Sequence, residues 1–155
     1  MPALRPLSVS VDNVDDTDLP DLARVDREAF PKDPYPESVL RQFMDTFADH
    51  LLVAKEDGIL CGYVLATPPS GGQSWIFSLG VAPGKRRKGL GRRLMTEVLE
   101  KLRDEGAHTV KLWVEPGNAP AVALYEFLKF TPDPEGPREN HFGPGEDRLL
   151  MTLVL

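Results

Sequence analysis

The sequence has little cysteine, no long hydrophobic run and no excess of positive charge. Its single cysteine, Cys61, cannot form an internal disulfide, and its place in the apolar run GILCGYVLAT indicates a small buried core residue. No stretch approaches the roughly 18 apolar residues that a membrane-spanning helix needs, and the first residues lack the apolar run of a signal peptide. We therefore expect a cytoplasmic protein without a membrane partner.

The charge balance excludes a general nucleic-acid-binding protein. The chain has 24 acidic and 18 basic residues, a formal net charge of −6, whereas a basic field dominates nucleic-acid affinity. With 155 residues it is long enough for one compact domain and too short for two ordinary ones, so we expect a single domain over residues 1–155. No metal site is predicted.

Hydrophobic periodicity predicts an α/β fold in which helices cover a mixed, largely antiparallel sheet. The expected order of elements is β-αα-βββ-α-β-α-β-β, beginning with a strand over residues 7–11. Asp57-Gly58 between two apolar runs is the strongest short hairpin signal. Thr17 or Asp18 is expected to cap the first helix, and Asn118 the last one.

One basic cluster differs from the acidic background. Residues 85–93 read KRRKGLGRR and contain six of the eighteen basic side chains. The segment follows the strand-like run QSWIFSLGV and opens a helix, so free backbone N–H groups and the positive end of a helix dipole are expected at one place. Gly89 and Gly91 would let a ligand approach the backbone closely. The combination predicts a site for a pyrophosphate.

Two motifs in these segments resemble the GNAT superfamily of N-acetyltransferases. The family has a strand of the form LxVxP followed by (Arg/Gln)-x-x-Gly-x-(Gly/Ala) at a helix start, which LGVAPGKRRKGLGRRL matches at Leu79, Val81, Pro83, Arg86, Gly89 and Gly91. It often shows Asn-x-x-Ala-x-x-Leu-Tyr-x-x-x-Gly-Phe further on, which NAPAVALYEFLKF matches at Asn118, Ala121, Leu124, Tyr125 and Phe130. Only Lys129 departs from this second motif, where the family usually has glycine.

The resemblance implies acetyl-coenzyme A as the acetyl donor, coenzyme A as a product, and central strands that splay apart. Backbone groups of Leu79 and Val81 would pair with the pantetheine arm, and amides of the glycine turn would hold the pyrophosphate. The second motif would contribute the side chains of Asn118 and Tyr125. The implied cofactor-binding residues are Leu79, Gly80, Val81, Arg86, Arg87, Lys88, Gly89, Leu90, Gly91, Arg92, Asn118 and Tyr125.

The resemblance also implies a direct attack of a primary amine on the thioester in a ternary complex. Tyr125 is the candidate acid for the departing thiolate, although it could instead pack in the core. Glu115 is the candidate base, acting through a water, against the alternative of a solvent-facing turn residue. His108 and His141 are weaker candidates.

Acceptor specificity is expected from Phe30 and Tyr35 near the N-terminus and from the late loop over residues 132–147. The amine, either a small molecule or a peptide or protein N-terminus, is not determined by the sequence. Neither is the oligomeric state, for which a homodimer stays open. The alternative function is an acyl-coenzyme A-binding module without turnover, because the acid-base set is incomplete.

Overall fold

The computed structural model describes residues 8–155, with the backbone alone at residues 87 and 88. These residues form seven strands and four α-helices, with short 3-10 helices at Asp16–Asp18, Ala48–His50 and Pro83–Lys88. The strands are β1 Val9–Asn13, β2 Leu51–Glu56, β3 Ile59–Ala66, β4 Gln73–Val81, β5 Thr109–Val114, β6 Thr131–Pro132 and β7 Leu149–Val154. The helices are α1 Leu19–Ala29, α2 Glu37–Thr46, α3 Leu90–Asp104 and α4 Ala119–Phe127.

The strand order of the sheet is β1-β2-β3-β4-β5-β7-β6. Strand β2 is antiparallel to β1 and β3, β7 is antiparallel to β5 and β6, and β4 is parallel to β5. The predicted α/β fold with a mixed, largely antiparallel sheet is confirmed, as is the order of its elements. The first strand begins at Val9 rather than Leu7, and Leu7 lies outside the described residues.

The chain packs as two compact units, which are described separately. The first unit contains Met1–Leu65 and Ser78–Val98, and the second contains Ala66–Phe77 and Leu99–Leu155. Strand β4 and helix α3 therefore each contribute residues to both. In the part of the chain that the structure describes, no helix combines the length and the apolar character needed to cross a bilayer.

The core of the first unit lies between the two N-terminal helices and the strands β2 and β3. Apolar residues at three- and four-residue spacing give α1 and α2 one buried face each, as the sequence predicts. Cys61 is 3% exposed and its thiol donates to the carbonyl of Ala54 at 3.5 Å, which confirms a buried core residue. The central cluster comprises Leu22, Ala23, Val25, Leu40, Met44, Leu51, Val53, Leu60, Tyr63 and Leu65.

A capping box closes the 3-10 turn Asp16–Asp18, which leads directly into α1. The carboxylate of Asp15 accepts a hydrogen bond from the Thr17 N–H at 2.8 Å, and Asp18 accepts one from the Asp15 N–H at 2.8 Å. Asp18 occupies the N-cap position of α1, as predicted, but its side chain bonds backwards to Asp15 rather than into the helix. The box thus satisfies the N–H groups of Asp15 and Thr17, which precede α1, and the Asp18 side chain makes no cap bond to the helix.

The β2–β3 hairpin turns at Asp57-Gly58, as the sequence predicts. Both residues have positive φ, 50° for Asp57 and 82° for Gly58. Two successive left-handed residues are typical of the type I′ turn, whose twist matches that of the flanking strands. This turn sets the register that pairs Glu56 with Ile59.

Strand β5 organises the second unit. Its first four residues pair in parallel with Gln73–Ile76 of β4, and its whole length pairs with β7 from Thr109↔Val154 to Val114↔Leu149. Alternate residues of β5 are buried, namely Val110, Leu112 and Val114. Strand β4 pairs with β5 over Gln73–Ile76 and continues to Val81.

Helix α4 begins at a side-chain cap and ends at a strained residue. The Asn118 side chain accepts a hydrogen bond from the Ala121 N–H at 3.3 Å, which confirms the predicted cap. After the helix, Lys129 has φ 78°, in the left-handed region that favours glycine. Lys129 stands where the resembled motif has glycine. The backbone at this position therefore keeps the left-handed conformation that favours glycine, although the residue is lysine.

Candidate active site

The glycine turn of the first unit has the backbone that an anion site needs. After β4 the chain makes the 3-10 turn Pro83–Lys88, and Gly89 adopts φ 74° before α3 begins at Leu90. The Arg93 N–H donates to the Gly89 carbonyl at 3.0 Å, which closes the first turn of α3. The N–H groups ahead of Arg93 lie at the helix N-terminus, where no acceptor within α3 is available to them.

Space around Gly89 is open. Apart from its two chain neighbours, no described residue places an atom within 4 Å of a Cβ built at Gly89, so the left-handed φ is what favours glycine there. The turn therefore presents bare backbone on an exposed surface at a positive helix end. A phosphate group fits this donor set, and the predicted pyrophosphate site is chemically consistent with the structure.

Several basic side chains of the turn bind their own chain. Lys85 Nζ lies 3.1 Å from Glu56 Oε2, and Arg93 Nη1 donates to the Val9 carbonyl at 3.0 Å. Arg86 donates from Nε to the Val81 carbonyl at 3.2 Å and from Nη2 to the Ala29 carbonyl at 3.5 Å. The Arg86 side chain thus ties the turn to the end of β4 and to the end of α1. The side chains of Arg87 and Lys88 lie outside the described structure.

Strand β4 is packed tightly against Tyr63 at Gly80. A Cβ at Gly80 would lie 2.6 Å from Cε1 of Tyr63 and 3.3 Å from Cε2 of Phe30. A distance of 2.6 Å is too short for any real contact, so only glycine fits without moving the tyrosine ring. One predicted cofactor residue, Gly80, and one predicted substrate residue, Phe30, therefore meet at Tyr63.

Two buried residues, Asp26 and Tyr63, and the half-buried Ser78, none of which the sequence indicated, form a hydrogen-bonded chain in the first unit. The Tyr63 hydroxyl donates to Asp26 Oδ1 at 2.5 Å and lies 2.8 Å from Ser78 Oγ. The second carboxylate oxygen, Asp26 Oδ2, accepts the Tyr35 N–H at 2.7 Å. We call Asp26, Tyr63 and Ser78 the buried polar chain.

Burial changes the pKa values of Asp26 and Tyr63 in the buried polar chain and that of the neighbouring Tyr35. Asp26 is 0% exposed, and desolvation raises the pKa of its carboxyl group, although the hydrogen bonds from Tyr63 and Tyr35 act in the opposite direction. Burial and the nearby Asp26 carboxylate raise the pKa of Tyr63 well above its usual value. The pKa of Tyr35 is also raised, first by burial and then by Asp26 and Asp33.

One signal in the sequence could have pointed to Asp26. It lies four residues after Leu22 and beside Val25, on the stripe that the apolar spacing assigns to the core, and a carboxylate on such a stripe needs partners. Tyr63, in the middle of an apolar run, gives a weaker signal. No local pattern joins these residues to Ser78.

The second unit contains the candidate acid. Tyr125, on α4, is 7% exposed, and burial raises the pKa of its phenol to about 12. Its ring lies 5.8 Å from that of Phe130, centroid to centroid. The raised pKa keeps the phenol protonated at neutral pH. Within the described residues the hydroxyl of Tyr125 makes no hydrogen bond, so its proton is not committed to an acceptor there.

The candidate base is a surface residue in this structure. Glu115 is exposed directly after β5, and its carbonyl accepts the Asn118 N–H at 3.0 Å in the turn that leads into α4. Asn118 is exposed as well and uses its side chain as the helix cap. The second unit therefore holds Glu115, Asn118 and Tyr125 on one short stretch of chain, while the first unit brings Phe30, Tyr35 and Gly80 to the buried polar chain.

The late loop carries a row of aromatic and cationic side chains in the second unit. Trp113 stacks on Trp75 with ring centroids 6.3 Å apart. The ring of His141 also lies against Trp113, with centroids 4.0 Å apart. Phe142 follows His141 at 5.6 Å and is 57% exposed. Arg138 lies 5.1 Å from the centre of the Trp113 ring. The loop thus presents an exposed aromatic surface beside Arg138, whose charge is paired with Asp133 at 3.0 Å.

Turns and bridges fold this loop. Arg138 and Arg148 exchange two backbone hydrogen bonds, of 2.8 and 3.1 Å. Asn140 N–H donates to the Asp147 carboxylate at 2.9 Å, and the Asn140 side chain accepts the Gly145 N–H at 2.7 Å. Across the described residues, no group of three His, Cys, Asp or Glu side chains is arranged to hold a metal ion.

Comparison with known proteins gives a family match and several relatives. The model of the acetyltransferase (GNAT) family matches residues 18–130. A mycothiol acetyltransferase of Clavibacter sepedonicus is 31% identical over 133 residues, covering 81% of this chain and 43% of that protein. The ribosomal protein bS18 alanine N-acetyltransferase of Escherichia coli is 33% identical over 87 residues, covering 54% of this chain and 57% of that protein. The chain therefore spans about half the length of these two relatives, 43% of the first and 57% of the second.

Solved structures share the fold over nearly the whole chain. The ribosomal-protein-S18-alanine N-acetyltransferase from Escherichia coli superimposes with a TM-score of 0.81 at 25% identity, covering 95% of this chain and 94% of that one. Arabidopsis thaliana Naa50, in complex with a bisubstrate analogue, has a TM-score of 0.81 at 21% identity, covering 96% and 99% of the two chains.

Proposed function

Since the chain belongs to the acetyltransferase (GNAT) family, which it matches over residues 18–130, we propose that it is an enzyme that moves an acetyl group from acetyl-coenzyme A to a primary amine. The reaction is a direct attack of the amine in a ternary complex, with coenzyme A as product. The single observation that carries the proposal is the glycine turn between β4 and α3. There the family motif coincides with a left-handed Gly89 at a helix N-terminus.

The chain's own residues bind the donor in two ways. Backbone groups of Leu79, Gly80 and Val81 pair with the pantetheine arm as if with a short extra strand. Backbone amides over residues 86–91, with Arg92 nearby, hold the pyrophosphate, and Arg86 keeps the turn attached to β4. Asn118 contacts the pantetheine arm in addition to capping α4. The bound thioester supplies the activated acetyl group.

Tyr125 donates a hydrogen bond to the negative charge that develops during transfer. Because burial raises its pKa to about 12, the phenol keeps its proton at neutral pH. Complete transfer of that proton to a thiolate, whose conjugate acid has a pKa of about 8.5, would be uphill by this difference. Hydrogen bonding, with proton transfer completed through solvent, is therefore the role we assign to Tyr125.

The acceptor that suits this site is an α-amine. Glu115 is exposed and can remove a proton only through water, so an amine that is partly neutral on its own is favoured. A peptide α-amine has a pKa of about 7.7–8.0, whereas a lysine side chain has about 10.4. The name of the Escherichia coli relative, an alanine N-acetyltransferase of a ribosomal protein, supports the same class of acceptor. A small-molecule amine, as the name mycothiol acetyltransferase suggests for another relative, is the second candidate.

Acceptor choice comes from two segments. Phe30 and Tyr35 belong to residues 30–36, which we call the acceptor segment, and the exposed Phe142 with His141 belongs to the late loop. Aromatic rings beside arginines suit the apolar side chains and carbonyls of a peptide. A variant with a shortened late loop should keep its affinity for acetyl-coenzyme A and change its preference among amines.

Isothermal titration and a thiol-release assay test the proposal together. Acetyl-coenzyme A should bind more tightly than millimolar, and thiol should be released with peptides that have a free N-terminus faster than with N-blocked, lysine-containing controls. Binding without thiol release from any amine, peptide or aminoglycoside would favour the alternative function, an acyl-coenzyme A-binding module. That alternative is motivated by the exposed position of Glu115.

A matched pair of variants tests the glycine turn. Gly89→Val places a branched side chain at φ 74°, where the turn and its amides must distort, while Lys101→Ala changes a residue further along α3. We expect at least a tenfold loss of acetyl-coenzyme A affinity for Gly89→Val, about 1.4 kcal/mol, and a change below about twofold for Lys101→Ala. Equal effects would mean that the turn is an ordinary surface feature.

Three broader predictions accompany the proposal. Residues 1–155 act as one acetyltransferase domain, for which a single cooperative thermal transition is expected.

The protein is cytoplasmic, which fractionation of its native cells would test. A homodimer stays open, and sedimentation equilibrium with and without acetyl-coenzyme A would determine the oligomeric state.

A further inference from the structure

The buried polar chain joins two segments that the proposed reaction uses for different ligands. Ser78 lies on β4, immediately before Leu79, which is assigned to the pantetheine arm. At the other end, Asp26 accepts the Tyr35 N–H at 2.7 Å, inside the acceptor segment. Tyr63 lies between them, bonded to Asp26 at 2.5 Å and to Ser78 at 2.8 Å. Three side chains thus connect the donor strand to the acceptor segment within the first unit.

The tyrosine makes the connection directional. A phenol has one proton, so a Tyr63 hydroxyl that donates to Asp26 must accept from Ser78. If the acid at position 26 carries the proton instead, the order reverses, and Tyr63 donates to Ser78. Every oxygen in the chain has a partner in either order. The chain is therefore held as a whole, and a change at one end alters the bonding at the other.

Two further contacts join the same regions. The Tyr63 ring lies against Gly80 so closely that a Cβ there would be 2.6 Å away, and the Phe30 ring would be 3.3 Å from the same atom. Arg86, in the glycine turn, donates to the Ala29 carbonyl at 3.5 Å, one residue before Phe30. Strand β4 and the glycine turn are thus linked by contacts to both ends of the acceptor segment.

We infer that Asp26 and Tyr63 are positioning residues, which couple the binding of acetyl-coenzyme A on β4 to the ordering of the acceptor segment. The inference rests on the proposed function, because it takes residues 79–81 as the binding strand. A donor that pairs with the backbone of Leu79–Val81 restricts the motion of β4, and with it that of Ser78. Tyr63 and Asp26 transmit this to the Tyr35 N–H, so that the acceptor segment is set before the amine arrives. The amine then meets a formed site only when the donor is present.

Amide hydrogen exchange with acetyl-coenzyme A as the only added ligand tests the coupling. The amide of Tyr35, or the peptide that covers residues 30–36, should exchange at least about fivefold more slowly when the wild-type protein is saturated. Tyr63→Phe removes the hydroxyl and keeps the ring against Gly80. Saturating acetyl-coenzyme A should then slow exchange of the acceptor segment by less than about twofold, although isothermal titration still shows binding.

Two more variants separate coupling from simple loss of structure. Asp26→Asn can accept the Tyr35 N–H through its oxygen and donate to the Tyr63 hydroxyl through its nitrogen, which reproduces the reversed order of the chain. It should therefore retain the slowing seen in the wild type. Ser78→Ala cuts the chain at its half-buried β4 end and should lose the slowing, which keeps the test available if Tyr63→Phe does not fold.

The outcomes separate this inference from the proposed function. Absence of acetyl-coenzyme A binding to the wild-type protein would overturn the proposed function and the coupling with it. Binding that leaves exchange of the acceptor segment unchanged would overturn the coupling alone. Equal slowing in the wild type, Tyr63→Phe and Ser78→Ala would also overturn it, because the polar chain would then carry none of the effect.

Discussion

The first and second units each bury one tyrosine that matters to the proposed reaction, and the two hydroxyls are treated in opposite ways. Tyr63 is 1% exposed and its hydroxyl bonds to Asp26 and Ser78. Tyr125 is 7% exposed, and its hydroxyl makes no hydrogen bond within the described residues. Burial raises the pKa of both. A buried hydroxyl with partners holds structure together, whereas one without partners is available to a ligand.

The largest expected effect comes from the unpartnered hydroxyl. Tyr125→Phe removes a hydrogen-bond donor and keeps the ring packing against Phe130, so kcat should fall at least roughly tenfold. The upper limit is the factor of about 10² to 10⁴ that is typical of a positioned acid. Because no hydrogen bond among the described residues is lost, the melting temperature and acetyl-coenzyme A affinity should stay near wild type. Unchanged kcat would show that water or another group serves the leaving thiolate.

Tyr63→Phe should show the reverse pattern. The change leaves the buried Asp26 carboxylate with one donor fewer, which costs about 1–3 kcal/mol of unfolding free energy. Urea unfolding measures this loss, and kcat at saturating amine should change far less than in Tyr125→Phe. If Tyr63→Phe is as stable as Tyr125→Phe, the contrast between the two tyrosines does not hold.

The pH dependence of stability sharpens the same contrast through Asp26. Its pKa in the folded protein is raised above the usual 3.8, chiefly by burial, with Tyr63, Tyr35, Arg27 and Asp33 as its polar neighbours. Between pH 3.8 and the folded value, the unfolded chain binds fewer protons at this residue than the folded one, so its contribution to stability falls as pH rises.

The Asp26→Asn variant lacks this titration. The difference in unfolding free energy between Asp26→Asn and the wild type should therefore move in favour of the variant as pH rises through that window, and become constant above it. Urea unfolding at a series of pH values measures the difference. A difference that moves in favour of the wild type over the same range would show that the hydrogen bonds outweigh burial at Asp26.

The smallest expected effect concerns Lys129, which follows helix α4, the helix that carries Tyr125. Lys129 has φ 78°, a conformation that costs a non-glycine residue about 1–2 kcal/mol. Lys129→Gly relieves this strain but adds freedom to the unfolded chain, so a net gain of up to about 1 kcal/mol is expected. Lys101→Gly, inside α3, is the matched control and should lose about 1 kcal/mol. Loss of stability in both variants would contradict the argument.

Local chemistry made much of the fold predictable. Asp57-Gly58 specifies its turn through two left-handed residues, and the alternation in TVKLWV gave β5 with its observed bounds, because both signals lie within a few residues. The family membership and the glycine turn followed from motif spacing for the same reason. Lys129 was the one departure from the motif, and its positive φ shows that the backbone requirement persists without the glycine.

The buried polar chain could not be predicted in this way. Asp26 and Tyr63 are 37 positions apart, and Tyr63 and Ser78 are 15 apart, so only the tertiary structure brings them together. Glu115 illustrates a different gap, because a residue that follows a strand can point into a cleft or into solvent, and the sequence left both readings open. Here it is exposed.

The hydrogen bonding of Tyr63 has an evolutionary consequence. Its ring occupies the space that a side chain at position 80 would need, and its hydroxyl requires one acceptor and one donor on either side. A single substitution at position 63, 78 or 80, or one at position 26 other than Asp26→Asn, leaves either a clash or a polar group with one partner fewer. In descendants of this chain we therefore expect these four positions to change together or to stay as they are, as one inherited unit.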